Sequence, residues 1–226
     1  LAVTTQPGGG TSQTAWSTQP VVAVRDATGN LVTSSTASVT LALVSGGGAV
    51  LSCTSNPVVA VNGVATFSGC AVDKAGTYTL SATSTGLGSA TSNSVSITPG
   101  AASLTTSTIT ASPTSISATG VATSTLTVQL KDASGNALTT SGGTVTVVKT
   151  AGPTVSLSAV TDNNDGTYTA TVSGSSAGTA TFSAQLGGTA GLADEFDHPA
   201  GAVAGNGFVA DDFGHEAAGE FGFDGF

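Results

Sequence analysis

The chain has 226 residues, of which 39% are hydrophobic and only 8% are charged. Four basic residues stand against 13 acidic residues, which gives a formal net charge of −9. Four basic residues are too few to neutralise nucleic-acid phosphates or to bind an anionic membrane surface. We therefore expect no nucleic-acid partner. The chain also lacks any apolar run of about 18 residues, which predicts no membrane insertion.

The composition favours strands over helices. There are 39 Thr and 29 Ser residues, whereas Met is absent and Lys and Arg are scarce. Thr and Val suit a pleated, half-buried surface, and the missing residues are strong helix formers. The sequence therefore predicts an all-β fold. The first residue is not Met and no charged-then-apolar leader follows it, so we interpret the chain as part of a secreted, extracellular precursor.

One sequence unit occurs twice along the chain. Val-Arg-Asp-Ala-Thr-Gly-Asn at 24–30 recurs as Leu-Lys-Asp-Ala-Ser-Gly-Asn at 130–136, and the segment at 75–82 recurs at 177–184. About seven short strands in each copy predict two tandem immunoglobulin-like (Ig-like) β-sandwiches followed by a Gly-, Phe- and acid-rich extension. The predicted divisions are a first domain at 1–99, a linker at 100–103, a second domain at 104–189 and a tail at 190–226.

Alternating apolar residues identify the strand faces that should be buried. Leu126, Val128 and Leu130 alternate with polar residues, and Tyr78 and Leu80 do the same in the first unit. We expect the two cores to contain the large apolar residues at these positions and their counterparts, namely Phe67, Tyr78, Leu80, Leu130, Tyr168 and Phe182.

Several segments resemble a known family. Gln19-Pro20-Val21-Val22-Ala23-Val24, Gly63-Val64-Ala65-Thr66-Phe67 and Asp165-Gly166-Thr167-Tyr168 resemble the bacterial Ig-like repeats of large secreted surface proteins. The second unit is similar to the invasin and intimin type. The resemblance covers about residues 1 to 189 and implies a stalk or adhesive module at the bacterial cell surface. It supplies no catalytic residues.

Cys53 and Cys70 are the only cysteines in the sequence. An Asn62-Gly63 turn lies between them, so they could face each other on neighbouring strands, which predicts a disulfide. Closing a loop of this length contributes roughly 3 kcal/mol in the chain-entropy model. Free or metal-binding thiols are the alternative.

Other polar positions have two interpretations each. Asp26 and Asp132, each followed by Ala-x-Gly-Asn, either form turns or bind calcium between domains. The oxygen-rich loop at 162–166 has the same two interpretations. Trp16 is either a core residue or a stacking platform for a sugar.

The tail has a composition unlike the rest of the chain. From residue 190 onward it has no Ser, Thr or basic residue, yet it carries eight of the 13 acids, both histidines and six of the eight Phe. It either binds metal, keeps a fibre soluble, packs on its own second domain, or is a segment of different origin. The metal candidates are Asp194, Glu195, Asp197, His198, Asp211, Asp212, His215 and Glu216. The candidate assembly anchors are Phe208, Phe213, Phe221, Phe223 and Phe226.

These observations predict a non-enzymatic structural module of an extracellular fibre or surface adhesin. Both histidines lie in the tail, so no serine in the repeats has a histidine base. The expected partners are other copies of the chain or adjacent Ig-like repeats, with filaments forming through the tail. The alternatives are a module that binds a host receptor or glycan, and a tail that bridges subunits through a cation. No cofactor is required, and calcium is the divalent cation that we expect if one binds.

Overall fold

The computed structural model describes residues 1–187, in which every regular element is a strand. The chain divides into two compact units, the first covering Leu1–Gly100 and the second beginning at Ala101. The all-β prediction is thus confirmed, and each unit has the sheets of a sandwich. The core residues of each unit come from alternating positions on its strands.

The first unit contains many short strands. One sheet has the order β1-β3-β7 and another the order β11-β10-β4-β6, while β2-β12-β9 and β5-β8 complete the unit. The strands are β1 (Ala2–Thr5), β2 (Gly10–Thr11), β3 (Val21–Ala23), β4 (Ser38–Leu43), β5 (Leu51–Ser52), β6 (Val58–Val59), β7 (Val64–Thr66), β8 (Ala71–Val72), β9 (Gly76–Tyr78), β10 (Leu80–Thr83), β11 (Ala90–Thr91) and β12 (Val95–Thr98). The expected count of about seven was too low for this unit. Glycines at 46–48 and Pro57 interrupt the pairing.

The chain changes sheets at Thr79. β9 pairs with β12, whereas β10 pairs with β4 and β11. Tyr78 and Leu80 nevertheless both point into the core, as predicted. Asn62 and Gly63 make a similar transfer, because their turn joins β6, a partner of β4, to β7, a partner of β3. Both residues have positive φ, 51° and 78°, which is typical of a tight mirror-image turn.

The described part of the second unit has fewer and longer strands. These are β13 (Ala102–Ser112), β14 (Ser124–Asp132), β15 (Val145–Ala151), β16 (Val155–Leu157), β17 (Thr161–Asp162), β18 (Thr167–Gly174) and β19 (Thr181–Leu186). One sheet has the order β13-β14-β18-β16, with β17 also on β18, and the other pairs β15 with β19.

The predicted linker at 100–103 is partly wrong. Ala102 pairs with Asp132 and Ser103 pairs with Lys131, so β13 begins inside the expected linker. The strand then bulges before it resumes pairing at Thr108. Ser107 fills this break, because its buried hydroxyl donates to the Ser103 carbonyl at 2.7 Å and accepts the Lys131 N–H at 3.0 Å.

Each unit has its own hydrophobic core. All six residues predicted to be buried are buried. The first core includes Trp16, Val22, Val39, Leu41, Phe67, Val72, Leu80, Val95 and Ile97. The second includes Ile109, Leu126, Val128, Leu130, Tyr168, Val172 and Phe182.

We expect Leu80→Ala to destabilise the first unit by about 2 to 5 kcal/mol, because the side chain is fully enclosed and its removal leaves a cavity. Val50→Ala is the matched control, since Val50 is 60% exposed, and it should change stability by less than about 0.5 kcal/mol. Chemical denaturation monitored by circular dichroism measures both. Equal effects of the two substitutions would contradict the assignment of the strand faces.

Candidate functional site

Each unit contains the same aspartate loop. In the first unit, Asp26 Oδ1 accepts the N–H groups of Thr28 and Asn30, both at 2.9 Å. In the second, Asp132 Oδ1 accepts the N–H groups of Ser134 and Asn136, also at 2.9 Å. The asparagine amide of each loop donates to the second carboxylate oxygen at 3.2 Å and 2.8 Å. The two repeats of the sequence therefore have one geometry.

In each unit, the residue two positions before the aspartate donates a hydrogen bond to the carbonyl of a distant turn glycine. The Val24 N–H donates to the Gly63 carbonyl at 2.8 Å, and the Leu130 N–H donates to the Gly166 carbonyl at 2.9 Å. Both glycines have positive φ. A Cβ atom at either position would overlap a backbone carbonyl oxygen, that of Val32 or of Leu138. The glycines are thus required both by conformation and by close approach.

This geometry identifies the aspartates as turn residues. Asp26 Oδ1 also accepts the Thr28 hydroxyl at 2.8 Å, so the carboxylate is used by its own loop. The hydrogen bonds from the Thr28 side chain and from Asn30 lower the pKa of Asp26 to about 2. In residues 1–187, no three His, Cys, Asp or Glu side chains are grouped as metal ligands would be. The turn interpretation accounts for both loops.

The Asp26 carboxylate should remain ionised to low pH. Because the folded-state pKa of Asp26 lies below its ordinary value of 3.8, the ionised carboxylate stabilises the fold above about pH 4. This contribution decreases as the pH falls from about 4 toward 2. Carboxyl-carbon NMR titration should give a midpoint near 2 for Asp26. An ordinary midpoint near 3.8 would contradict the hydrogen bonds that the loop donates to this carboxylate.

Gly63 can be compared with a glycine at which an added side chain would cause backbone strain but no steric overlap. Gly63 and Gly29 both have positive φ, 78° and 90°, but a Cβ atom at Gly29 would meet nothing within 4 Å. Gly29→Ala should therefore cost about 1 to 3 kcal/mol from backbone strain, and Gly63→Ala should cost more because it also displaces the Val32 carbonyl. Thermal unfolding of the two variants compares them, and equal losses would exclude the close contact.

Cys53 and Cys70 form a disulfide in the structure, with the Sγ atoms 2.10 Å apart. Cys53 immediately follows β5 and Cys70 immediately precedes β8, and the antiparallel pairing of these two strands places the cysteines opposite each other. Gln19 binds this pair to the preceding loop. Its Oε1 accepts the Cys70 N–H at 2.8 Å, and its Nε2 donates to the Trp16 carbonyl at 2.7 Å.

Trp16 belongs to the core, although it lies in the loop between β2 and β3 and not in a strand. Its backbone N–H donates to the Cys70 carbonyl at 3.0 Å, and the residue is 3% exposed. A ring enclosed to this extent cannot offer a face to a sugar. The core interpretation is confirmed.

The carboxylate oxygens of the loop at 162–166 also accept hydrogen bonds from neighbouring protein groups. Asp162 Oδ1 accepts the Asn164 N–H at 2.8 Å, and Asp162 Oδ2 accepts the Ser141 hydroxyl at 2.5 Å. Asp165 Oδ1 accepts both the hydroxyl and the N–H of Thr167, and these bonds lower the pKa of Asp165. The loop is a turn that joins β17 to β18.

The tail predictions fall outside the described residues. The eight metal candidates, from Asp194 to Glu216, and the five candidate assembly anchors, from Phe208 to Phe226, all lie beyond residue 187. They remain predictions. Among residues 1–187, no helix is long and apolar enough to cross a membrane.

Two Ig-like sandwiches in tandem, each with the same aspartate loop, place the chain among the tandem β-sandwich proteins. The second unit matches the family model of invasin, domain 3, over residues 103–196. The resemblance of this unit to the Ig-like domains of bacterial invasins is therefore confirmed.

Solved structures of bacterial surface proteins are also similar to the chain. Invasin, described as a bacterial integrin-binding protein, is 26% identical, and the comparison covers 93% of this chain and 40% of invasin with a TM-score of 0.40. InvD of Yersinia pseudotuberculosis is 26% identical over 85% of this chain and 54% of its own, with a TM-score of 0.41. The Escherichia coli adhesin FdeC is 21% identical over 83% and 58%, with a TM-score of 0.43.

The chain thus spans between 40% and 58% of the length of these three proteins. A comparison with curated proteins finds no significant match.

Proposed function

We propose that the chain is a non-enzymatic structural module of a bacterial extracellular fibre or surface adhesin. The observation that carries the proposal is the pair of units with separate cores, the second of which matches invasin domain 3. A tandem of self-contained sandwiches extends a surface protein without requiring any chemistry. Adjacent Ig-like repeats are its natural partners, and the outer surface of the cell is its location.

The first unit has a strand arrangement suited to bearing force. Its early strand β2 and its last strand β12 pair in parallel, with Gly10 opposite Ile97 and Thr11 opposite Thr98. The Ser12 N–H extends the contact by donating to the Thr98 carbonyl at 2.9 Å. A pull on the two ends of the unit loads these bonds in shear, so that several must break together. This arrangement supports the role of a load-bearing spacer.

Stretching the chain between handles should produce two separate unfolding events. The two disulfide-bonded cysteines have a sequence separation of 17. While the disulfide is intact, the segment between them cannot extend when the first unit unfolds. At about 3.5 Å per residue, reduction should lengthen one event by about 60 Å and leave the other unchanged. The second unit is therefore an internal control, as is the Cys53→Ser/Cys70→Ser variant, which should be insensitive to reductant.

A chain that extends without resolved unfolding events would contradict the spacer role. A glycan or receptor array provides the complementary measurement, because specific high-affinity binding by the intact chain would favour the alternative of a receptor- or carbohydrate-binding adhesin module. A spacer should bind nothing on such an array above the level of a Gly63→Ala variant.

Filament assembly through the tail is a second candidate function. It is favoured by the sequence of the tail, in which Phe221 and Phe223 alternate with Glu220, Gly222 and Asp224, a pattern typical of a half-buried strand. The edge strand of a sandwich can accept such a strand from another chain. Cation bridging by the tail is a further option, for which calcium is the expected ion.

A further inference from the structure

The turn between β6 and β7 is a two-residue loop with the sequence Asn62-Gly63. Val61 and Val64 flank it and exchange two backbone hydrogen bonds, at 2.9 Å and 3.0 Å. The positive φ values at both central residues, 51° and 78°, identify a type I′ turn. Asn62 is exposed, whereas Gly63 is buried. The turn thus presents the asparagine side chain to solvent and holds the following glycine inside the unit.

An asparagine that precedes a glycine can modify itself, because the glycine has no Cβ to obstruct the attack. The Gly63 nitrogen attacks Asn62 Cγ, and the new N–Cγ bond closes a five-membered succinimide ring. The Cγ–Nδ2 bond breaks, and Nδ2 leaves as ammonia with the proton of the glycine N–H. Water then opens the ring. Cleavage of the N–Cγ bond gives aspartate, whereas cleavage of the bond to the backbone carbonyl carbon gives isoaspartate.

The folded turn opposes this ring closure. The reaction requires Asn62 Cβ and the Gly63 nitrogen to lie on the same side of the Cα–C bond. In a type I′ turn, ψ of the first central residue is about +30°, which places Cβ nearly opposite that nitrogen. The Gly63 N–H also donates to the Ser35 carbonyl at 3.2 Å, and rotation about the Cα–C bond would break this hydrogen bond. The native structure therefore keeps the reacting atoms apart.

The two products differ in whether they fit the turn. Isoaspartate adds one backbone atom before Gly63, whereas the loop is already closed by the two hydrogen bonds of its flanking valines. Gly63 cannot shift to make room, because it lies against the Val32 carbonyl. Aspartate fits, since it tolerates positive φ as asparagine does. Asp165 precedes the corresponding glycine of the second unit, so an acid at this position is compatible with the glycine contact.

We propose that Asn62 is a self-modification site at which the fold of the first unit prevents the reaction and unfolding permits it. A unit that acquires isoaspartate at this position does not regain its native turn. Each unfolding event therefore exposes the first unit to permanent loss, and the loss increases with the time spent unfolded. The proposal requires only that the unit unfolds and does not depend on the spacer role.

Peptide mapping of the full chain measures the protection. The chain is incubated in buffer and in guanidinium chloride at the same pH and temperature. Asn62 should react about tenfold or more slowly in buffer, because only opened forms of the unit react. Asn206, in the other Asn-Gly pair of the sequence, reports the rate of the reaction in the denaturant. A smaller difference at Asn62 would overturn the proposal.

Two variants test whether the reaction requires unfolding of the unit. Leu80→Ala leaves a cavity in the first core and should accelerate the modification in buffer, because it raises the unfolded population. Val50→Ala removes a similar apolar side chain from an exposed position and should leave the rate unchanged. If Leu80→Ala does not accelerate the reaction, the turn opens by itself and the proposal is wrong.

The fate of the two products is tested after incubation in denaturant. Refolding followed by thermolysin digestion should remove chains with isoaspartate at position 62 and spare chains with aspartate. Trypsin cuts after Arg25 and Lys74, and electron-transfer fragmentation of the 26–74 peptide distinguishes the two products, which have equal mass. The control Asn62→Asp should survive digestion as the native chain does. Equal survival of the two products, or loss of the control, would contradict the proposal.

Discussion

One backbone contact, made identically in both units, fixes the turns on which the sandwiches depend. The N–H two residues before each aspartate donates to the carbonyl of a turn glycine, Gly63 or Gly166. The same glycine lies against the carbonyl of Val32 or Leu138, where no side chain fits. Three segments distant in the sequence therefore meet at one point. In both units, the aspartate loop and the turn that contains the glycine are held together by this contact.

Serine hydroxyls satisfy several backbone groups where the strands are interrupted. Ser107 bridges the bulge of β13, Ser124 donates to the Pro113 carbonyl at 2.6 Å, and Ser92 accepts the Leu80 N–H at 2.9 Å. A hydroxyl both donates and accepts, so one small side chain can replace the ladder bonds that a bulge removes. This role helps to explain how a protein with 8% charged residues can have many strand breaks. Among the described residues, Asp132 is the only buried acid, and its own loop donates hydrogen bonds to it.

The sequence predicts the fold well where the pattern is local. Period-two alternation identified the buried faces around Leu80 and Leu126, and the repeat identified the second aspartate loop. Prediction from the sequence failed where pairing between distant segments determines the structure. Nothing local distinguishes Ser107 or Ser92 from the other 27 of the 29 serines, and nothing marks Gln19 as the residue that joins Trp16 to Cys70. The sheet change at Thr79 depends on which partner strands lie alongside. The linker was misplaced because Ala102 and Ser103 acquire strand partners 28 to 30 residues away.

Each aspartate loop bonds to residues of its own unit, within residues 24–63 in the first and within residues 102–166 in the second. A gene that gains or loses one such unit by recombination therefore leaves no polar group of these loops without its partner in the units that remain. The number of such sandwiches in a protein can then change by copy number alone.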